Sequence, residues 1–290
     1  MPPTSPTALV IGASRGIGKT ICLALAKAGY NIGVSSRTTE HTAKLPGTIF
    51  TTAKDIEHLG LRAIPIECNV RKVEDINNAV ETCISHFGSL DVVIYNAGAI
   101  LWNKVIDTSV KRFDLMLDVN IKGAYALTQA VLPPFLENRH GKIIMVSPPI
   151  YSRFFKGKTP YAISKIGMSI LVQGLSTELC GTGVSITALW PATVIKSHVT
   201  TVLGVESKLM REPDIFADAC LAIAGESTNR LNGKCLIDED YLRSIGVRDF
   251  EKYRCNPDYE PPRMMPKEFP SLLVDEENNS LDLSVQIHKN

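Results

Sequence analysis

Residues 7–18 of the chain read TALVIGASRGIG, an apolar run followed by glycines at positions 12, 16 and 18. The run predicts a short strand, and the apolar spacing from Ile17 to Leu25 predicts a helix after it. Glycines between a strand and a helix let the backbone turn sharply and approach a pyrophosphate, which the first N–H groups of the helix can bind. A glycine triplet also occurs in ordinary turns, but this strand-turn-helix context favours dinucleotide binding. The candidate cofactor-binding residues of this loop are Gly12, Ser14, Arg15, Gly16, Ile17 and Gly18.

Strand and helix patterns alternate from residue 7 to residue 238. Such alternation forms βαβ units and predicts a parallel sheet with helices on both faces. The apolar stretches 92–94 and 143–146 are typical of central strands buried on both sides. The predicted strands are 7–11, 31–35, 62–66, 92–95, 142–147, 185–189 and 234–238, and the predicted helices are 16–27, 48–59, 73–87, 111–131, 161–179 and 214–224. We therefore predict a Rossmann-type, doubly wound α/β fold of about seven strands.

The βαβ rhythm stops near residue 242. We predict one dinucleotide-binding domain over residues 1–242 and a partly ordered C-terminal extension over 243–290, where Pro, Asp and Glu recur. Two further stretches, 38–47 and 196–212, fall outside the regular pattern.

Charge, hydropathy and cysteine usage bear on the partners and compartment of the protein. Lys and Arg number 31 against 30 Asp and Glu, a net charge of +1 that gives no reason to expect nucleic acid or an anionic membrane. No stretch approaches the roughly twenty apolar residues of a transmembrane helix. The seven cysteines form no Cys-x-x-Cys pair, and the histidines are dispersed, so we expect free thiols and no metal site. This cysteine usage favours an intracellular protein, with the cytoplasm preferred and a peroxisome or mitochondrion left open.

The end of the second predicted strand bears on the choice of cofactor. A free ribose 2′-hydroxyl usually pairs with an acidic residue there, but this chain has Ser35-Ser36-Arg37. Arg37 and the glycine-loop Arg15 offer permanently charged donors for a 2′-phosphate. Although both can be ordinary surface arginines, their positions favour NADP(H) over NAD(H).

Tyr161 and Lys165 lie four residues apart near the start of a predicted helix, so they share one face. A nearby ammonium favours the ionised form of a phenol, which makes the tyrosine usable as an acid and base. Ser147 ends the fifth predicted strand, where open α/β sheets bind ligands. Each feature alone also fits an exposed helix face or a plain strand end.

Two asparagines complete the candidate site. Asn96-Ala97-Gly98 follows the fourth strand in a tight turn on the cofactor side of the sheet. Asn120 lies inside a predicted helix, where its amide either interrupts the helix and holds a water or merely faces solvent.

Together these motifs resemble the short-chain dehydrogenase/reductase family, with Tyr95-Asn96-Ala97-Gly98 similar to its Asn-Asn-Ala-Gly turn. The resemblance implies a catalytic tetrad of Asn120, Ser147, Tyr161 and Lys165. It also implies adenine contacts from Asn69 and Val70, nicotinamide-side contacts from Pro191 and Thr193, and cofactor contacts from Tyr161 and Lys165. Family members commonly assemble as homodimers or homotetramers, so we expect one of these here, paired through the helices that begin near Lys111 and Tyr161.

The expected reaction is reversible hydride transfer between NADP(H) and a small-molecule ketone or secondary alcohol. An apolar, lipid-, steroid- or secondary-metabolite-like substrate is favoured by Ile150, Tyr151, Phe154, Phe155, Trp190 and segment 196–212. These residues can equally pack a core or a subunit contact. The alternatives are a dinucleotide-binding sensor or scaffold without catalysis and a specialised biosynthetic step such as epimerisation.

Overall fold

The computed structural model describes residues 5–42 and 46–272. The strands are β1 (Thr7–Ile11), β2 (Asn31–Ser36), β3 (Ala63–Glu67), β4 (Val92–Tyr95), β5 (Gly141–Val146), β6 (Val184–Trp190), β7 (Val194–Ile195), β8 (Met210–Arg211) and β9 (Cys235–Ile237). The α-helices are α1 (Gly16–Lys27), α2 (Ile49–Glu57), α3 (Val73–Phe87), α4 (Val110–Met116), α5 (Gly123–Glu137), α6 (Thr159–Glu178), α7 (His198–Val202), α8 (Asp214–Gly225), α9 (Thr228–Leu231) and α10 (Asp238–Ser244). Among the residues so described, no helix combines the length and apolarity needed to cross a membrane.

Seven strands form one parallel sheet in the order β3-β2-β1-β4-β5-β6-β9. The chain winds outward from β1 to β3 and then returns to β4 on the other side of β1. The predicted Rossmann-type α/β fold is therefore confirmed. The carboxyl ends of β1 and β4 lie side by side at the point where the winding reverses, which is where such sheets bind their ligands.

Helices cover both faces of the sheet, and successive residues of a strand belong to different cores. Ala8 and Val10 of β1 pack with α1, α2 and α8, whereas Leu9 and Ile11 pack with α3, α5 and α6. This alternation follows from the two-residue period of a strand. It explains why β1, buried on both sides, reads as a continuous apolar run in the sequence.

The helix predicted over 111–131 is three consecutive segments in the structure. Helix α4 ends at Met116, residues Leu117–Lys122 form a π-helical turn, and α5 continues to Glu137. Apolar spacing does not distinguish an α-helical turn from a π-helical one, so only Asn120 pointed to an interruption, and nothing in the sequence indicated its π-helical form. Helix α5 passes through two prolines and ends later than predicted, because Phe135 beyond them is buried against Gly141.

Residues beyond α10 pack onto the sheet domain as far as they are described. Phe250 and Tyr253 belong to the same core as β1, and the buried Arg211 of β8 donates to Phe250 O at 3.0 Å. Arg211 also forms ion pairs with Glu239 and with Glu260 of the tail. The domain boundary after residue 242 remains a prediction, and residues 273–290 of the predicted extension lie outside the described part of the chain.

Candidate active site

The parallel register brings the residues that follow the strands to one edge of the sheet. The strands β1, β4, β5, β6 and β9 are paired in this order across the sheet, and their carboxyl ends match to within one residue. The residues immediately after these strands are Gly12, Asn96, Ser147, Pro191 and Asp238. Four of the five are predicted site residues, so the topology alone aligns most of the candidate site.

The loops after β1 and β4 are in close contact. Gly12 has φ +88°, and a Cβ on it would lie 2.7 Å from the backbone nitrogen of Ala97. The Asn96 amide donates to Gly12 O at 2.9 Å, and Gly18 approaches the same oxygen too closely to carry a Cβ. No side chain in the described ranges caps the start of α1. The glycine loop and Asn96 thus form a narrow cradle, and the first N–H groups of α1 are available to an anion.

Arg15 and Arg37 lie near each other beside this cradle. Burial, and then the neighbouring charge of Arg37, lower the pKa of Arg15. Arg15 donates to Pro46 O and Gly47 O, each at 3.0 Å, and Arg37 is exposed. Within residues 5–42 and 46–272 neither guanidinium forms an ion pair. Two adjacent cations without an anion make this position suitable for a phosphate.

The predicted adenine contacts lie at the end of β3. The Asn69 side-chain oxygen accepts the backbone N–H of Arg71 at 3.2 Å. The backbone N–H of Asn69 donates to the Asp75 carboxylate at 3.0 Å. Val70 lies beside the start of α5, where a Cβ on Gly123 would come within 2.9 Å of Val70 O. The local turn therefore already uses the Asn69 side-chain oxygen as an acceptor.

Three predicted site residues converge near the end of β5. The Lys165 ammonium donates to Val146 O at 2.9 Å, one residue before Ser147. A Cβ on Gly98 would lie 3.6 Å from both Lys165 Nζ and Asn120 Oδ1. The turn after β4, the π-helical turn and α6 therefore meet at one point. Tyr161 is buried on α6, one turn before Lys165.

Asn120 is fully buried in the π-helical turn, so the solvent-facing alternative is wrong. Its amide donates to Ala99 O at 2.9 Å and to Ser164 Oγ at 2.8 Å, and its oxygen accepts the Ala99 N–H at 2.8 Å. These bonds fasten the loop after β4 to the helix. The interruption of the helix was anticipated, but the contact with Ala99 was not.

Burial controls the ionisation of Tyr161 and Lys165. It raises the pKa of the Tyr161 phenol and lowers the pKa of the Lys165 ammonium to about 7. We expected Lys165 to lower the pKa of Tyr161, but the buried amine readily loses its own charge. An anion close to Lys165 would raise the pKa of its amine again, because an anion favours the ammonium form.

Two buried hydroxyl groups are available to a ligand. Ser147 Oγ and Thr193 Oγ1 have no hydrogen-bond partner within the described residues. A buried hydroxyl without a partner is costly, so both are suited to a bound cofactor or substrate. Together with the glycine cradle they fit a nicotinamide dinucleotide. Among the described residues, no group of three or more His, Cys, Asp or Glu side chains is placed to hold a metal.

Asp238 is a site residue that the sequence interpretation missed. It follows β9, is fully buried, and accepts the N–H of Ala192 at 2.8 Å. Burial raises its pKa to about 7. It holds the loop that carries Pro191 and Thr193. An acidic residue directly after the last strand, at the ligand-binding edge, was the available signal.

The predicted substrate-side residues are only partly brought together. Phe154 packs with Tyr161 and with Trp190, at ring-centroid distances of 6.3 and 5.8 Å. Ile150 and Tyr151 join the same cluster. Phe155 is exposed, as are Val202 and Leu203 at the end of α7.

Comparison with known proteins defines the class. A family model described as short chain dehydrogenase matches residues 6–204, and the chain belongs to the short-chain dehydrogenase family. Hydroxysteroid dehydrogenase-like protein 2 of Danio rerio is 38% identical over 255 residues, which cover 87% of this chain and 61% of that protein. The chain therefore spans about three-fifths of this relative's length.

Solved structures agree. A putative dehydrogenase from Xanthomonas campestris is 34% identical with a TM-score of 0.84, covering 91% of this chain and 98% of that one. A metagenomic short-chain oxidoreductase in complex with NADP has a TM-score of 0.66 at 23% identity, over 80% of this chain and 96% of its own. The second likeness shows the fold alone.

Proposed function

We propose that the protein is an NADP(H)-dependent oxidoreductase that interconverts a ketone and a secondary alcohol. The observation that carries this is the convergence of Gly98, Asn120 and Lys165 beside Ser147, whose buried hydroxyl has no partner in the described part of the chain. Tyr161 lies one helical turn from Lys165. When bound, the nicotinamide supplies or accepts the hydride, and the protein supplies orientation and the proton.

Each member of the tetrad has a separate role. Ser147 holds the substrate oxygen by a hydrogen bond, and Tyr161 donates a proton to that oxygen or removes it. Lys165 would hold the nicotinamide ribose, and its ammonium form favours the ionised form of Tyr161. Asn120 fixes the loop after β4 through Ala99 and, with its oxygen, holds a water that relays the proton.

The choice of NADP(H) rests on Arg15 and Arg37. Both lie at the end of β2 or in the adjacent glycine loop, and no described acidic residue pairs with either of them. Each planar guanidinium can donate two parallel hydrogen bonds to the multiply charged oxygens of a 2′-phosphate. The oxidoreductase solved with NADP shares only its fold with this chain, so it adds no weight to this choice.

The remaining cofactor contacts are proposed by position along the same edge. We assign the adenine to Asn69 and Val70, the pyrophosphate to the N–H groups from Ser14 to Gly18, and the nicotinamide side to Asn96, Ala97, Gly98, Pro191 and Thr193. The unpartnered Thr193 hydroxyl supports the last assignment.

An apolar substrate is supported by the cluster around Tyr161, which includes Phe154 and Trp190.

A panel of apolar and polar ketones, each with NADPH and with NADH, tests the proposal through the absorbance of the reduced nicotinamide. We expect turnover of apolar ketones with NADPH preferred. Tight NADPH binding with no turnover of any ketone or alcohol would instead indicate a sensor or scaffold.

A further inference from the structure

Residues 263–269, which we call the C-terminal strap, lie against the loop after β6. The N–H groups of Met264 and Met265 both donate to Ala192 O, at 2.8 and 3.2 Å. The N–H of Ala192 donates to Asp238 at 2.8 Å. Ala192, between the proposed nicotinamide-side residues Pro191 and Thr193, is thus held from two sides.

Polar contacts fix the strap in place. Arg263 forms a two-pronged pair with Asp240 of α10 and donates to Met265 O at 2.7 Å and Pro266 O at 2.9 Å. Arg153, in the loop between β5 and α6, donates to Met264 O at 3.0 Å. The strap therefore bridges the two walls of the proposed substrate site, the loop after β5 and the loop after β6.

The apolar side of the strap continues the aromatic cluster of the site. Met265 is buried with Ala192 and Ile237, and its sulfur lies 3.2 Å from the Tyr151 hydroxyl. Phe269 meets the same Tyr151 ring edge-on, with centroids 5.3 Å apart.

Tyr151 links the strap to the reacting centre. Its ring lies 6.0 Å from that of Phe154, which in turn packs on Tyr161 and Trp190. Trp190, like Tyr151, packs against the cluster that Met265 forms with Ala192 and Ile237. The cluster that contains Met265 therefore lies behind two residues of the proposed substrate pocket.

We propose that the C-terminal strap closes the substrate site, and that Met265 sets the size of ketone accepted by positioning Tyr151 and Trp190. This inference rests on the proposed function for the kind of ligand. Met265 does not touch the reacting atoms, so it is a positioning residue. Shortening it leaves a gap behind two aromatic rings, which can then retreat and admit a bulkier apolar group.

The test compares a small and a bulky ketone, butanone and acetophenone, in the wild type, Met265→Ala, Met265→Leu and Met264→Ala. Met264 is the matched control, because it has the same side chain in the same strap but is exposed. Binding of each ketone is measured by saturation-transfer NMR on the protein alone, which requires no turnover. The ratio of kcat/KM for the two ketones is measured separately with NADPH.

Pocket differences of one or a few methylenes change selectivity by roughly ten- to two-hundredfold. We expect Met265→Ala to shift the ratio toward acetophenone by about tenfold or more, with Met265→Leu and Met264→Ala within about twofold of wild type. If Met265→Ala unfolds, Phe269→Leu should shift the ratio in the same direction. A ratio unchanged in Met265→Ala, an equal change in Met264→Ala, or no ketone binding to the wild type overturns the proposal. A shifted ratio of ketone binding without hydride transfer would overturn the proposed function and would still support the role of Met265.

Discussion

At the scale of single residues, the site is built from polar groups that the fold buries without satisfying them. Lys165 bonds Val146 O and, at 3.7 Å, the Met168 sulfur, and Ser147 and Thr193 have hydroxyl groups that nothing in the described part of the chain engages. Leaving such groups unpaired costs folding free energy, and a ligand that pairs with them adds to stability. Substitutions at these three residues should therefore affect folding stability and ligand binding in opposite directions.

Lys165 should make folding stability depend on pH. Burial lowers its pKa from 10.5 to about 7, so between these values the unfolded chain binds more protons and stability rises with pH. From pH 7 to pH 9 this gain should be about 2 kcal/mol, absent in Lys165→Met. Urea unfolding at several pH values measures it as the difference between the two proteins. The control Lys208→Met, at an exposed lysine, should keep the wild-type pH dependence. An identical pH dependence in wild type and Lys165→Met would show that folding does not lower the pKa of Lys165.

Arg15 and Arg37 should determine cofactor preference. The double variant Arg15→Ala/Arg37→Ala is expected to weaken NADPH about ten- to a hundredfold more than NADH, since only NADPH loses charge-assisted hydrogen bonds. Calorimetric titration of both cofactors gives the two losses. Arg15 also bonds Pro46 O and Gly47 O, so a common loss is expected and only the difference counts. Arg248→Ala, at an exposed arginine, is the control; equal losses for both cofactors would refute the assignment.

At the scale of secondary-structure elements, the π-helical turn is what carries Asn120 to the loop after β4. Tyr95, at the end of β4, donates its hydroxyl to Val119 O inside that turn. The phenol has room because Gly123, at the start of α5, has no side chain. Tyr95, the first residue of the loop motif Tyr95-Asn96-Ala97-Gly98, thus supports the π-helical turn that holds Asn120.

Gly123→Ala should therefore be destabilising. Its Cβ would collide with the Tyr95 hydroxyl and lie 2.9 Å from Val70 O, and overpacking of this kind costs about 1–3 kcal/mol. Gly174→Ala in α6 is the matched control, because nothing lies within 4 Å of its Cβ position and alanine favours a helix by up to about 1 kcal/mol. Thermal unfolding compares them. A Gly123→Ala protein as stable as wild type would show that the close packing is not needed.

At the scale of the whole molecule, α5 and α6 present apolar side chains to the outside. Ile163 and Ile170 of α6 are 51% and 59% exposed, and Tyr125 of α5 is 51% exposed. We propose that this surface joins the subunits of a homodimer or homotetramer. A buried aspartate at such a contact is unfavourable, so Ile170→Asp should dissociate the assembly.

Light scattering at micromolar protein measures this directly. The wild type should have the mass of two or four chains, Ile170→Asp a lower mass, and Leu59→Asp, on an exposed residue outside this surface, the wild-type mass. A monomeric wild type would count against the proposal.

The sequence predicted the parallel sheet and most strand bounds, because apolar runs and glycine turns are local features. It also indicated three residues that directly follow strands, which are Gly12, Asn96 and Ser147. It could not show the π-helical turn at Asn120 or the bracing by Tyr95, since both depend on contacts between distant segments. The tie from Asp238 to Ala192, and from there to Met264 and Met265, joins segments that are separate in the sequence for the same reason.

The rate of hydride transfer in Tyr161→Phe shows most directly whether Tyr161 is the proton donor. The substitution removes one oxygen from a buried ring, so the fold and NADPH affinity should stay within about twofold of wild type. General acid–base catalysis contributes about a hundred- to ten-thousandfold, so kcat on a ketone accepted by the wild type should fall at least a hundredfold. A Tyr161→Phe protein that binds NADPH normally and keeps most of the wild-type rate would show that Tyr161 is not the proton donor.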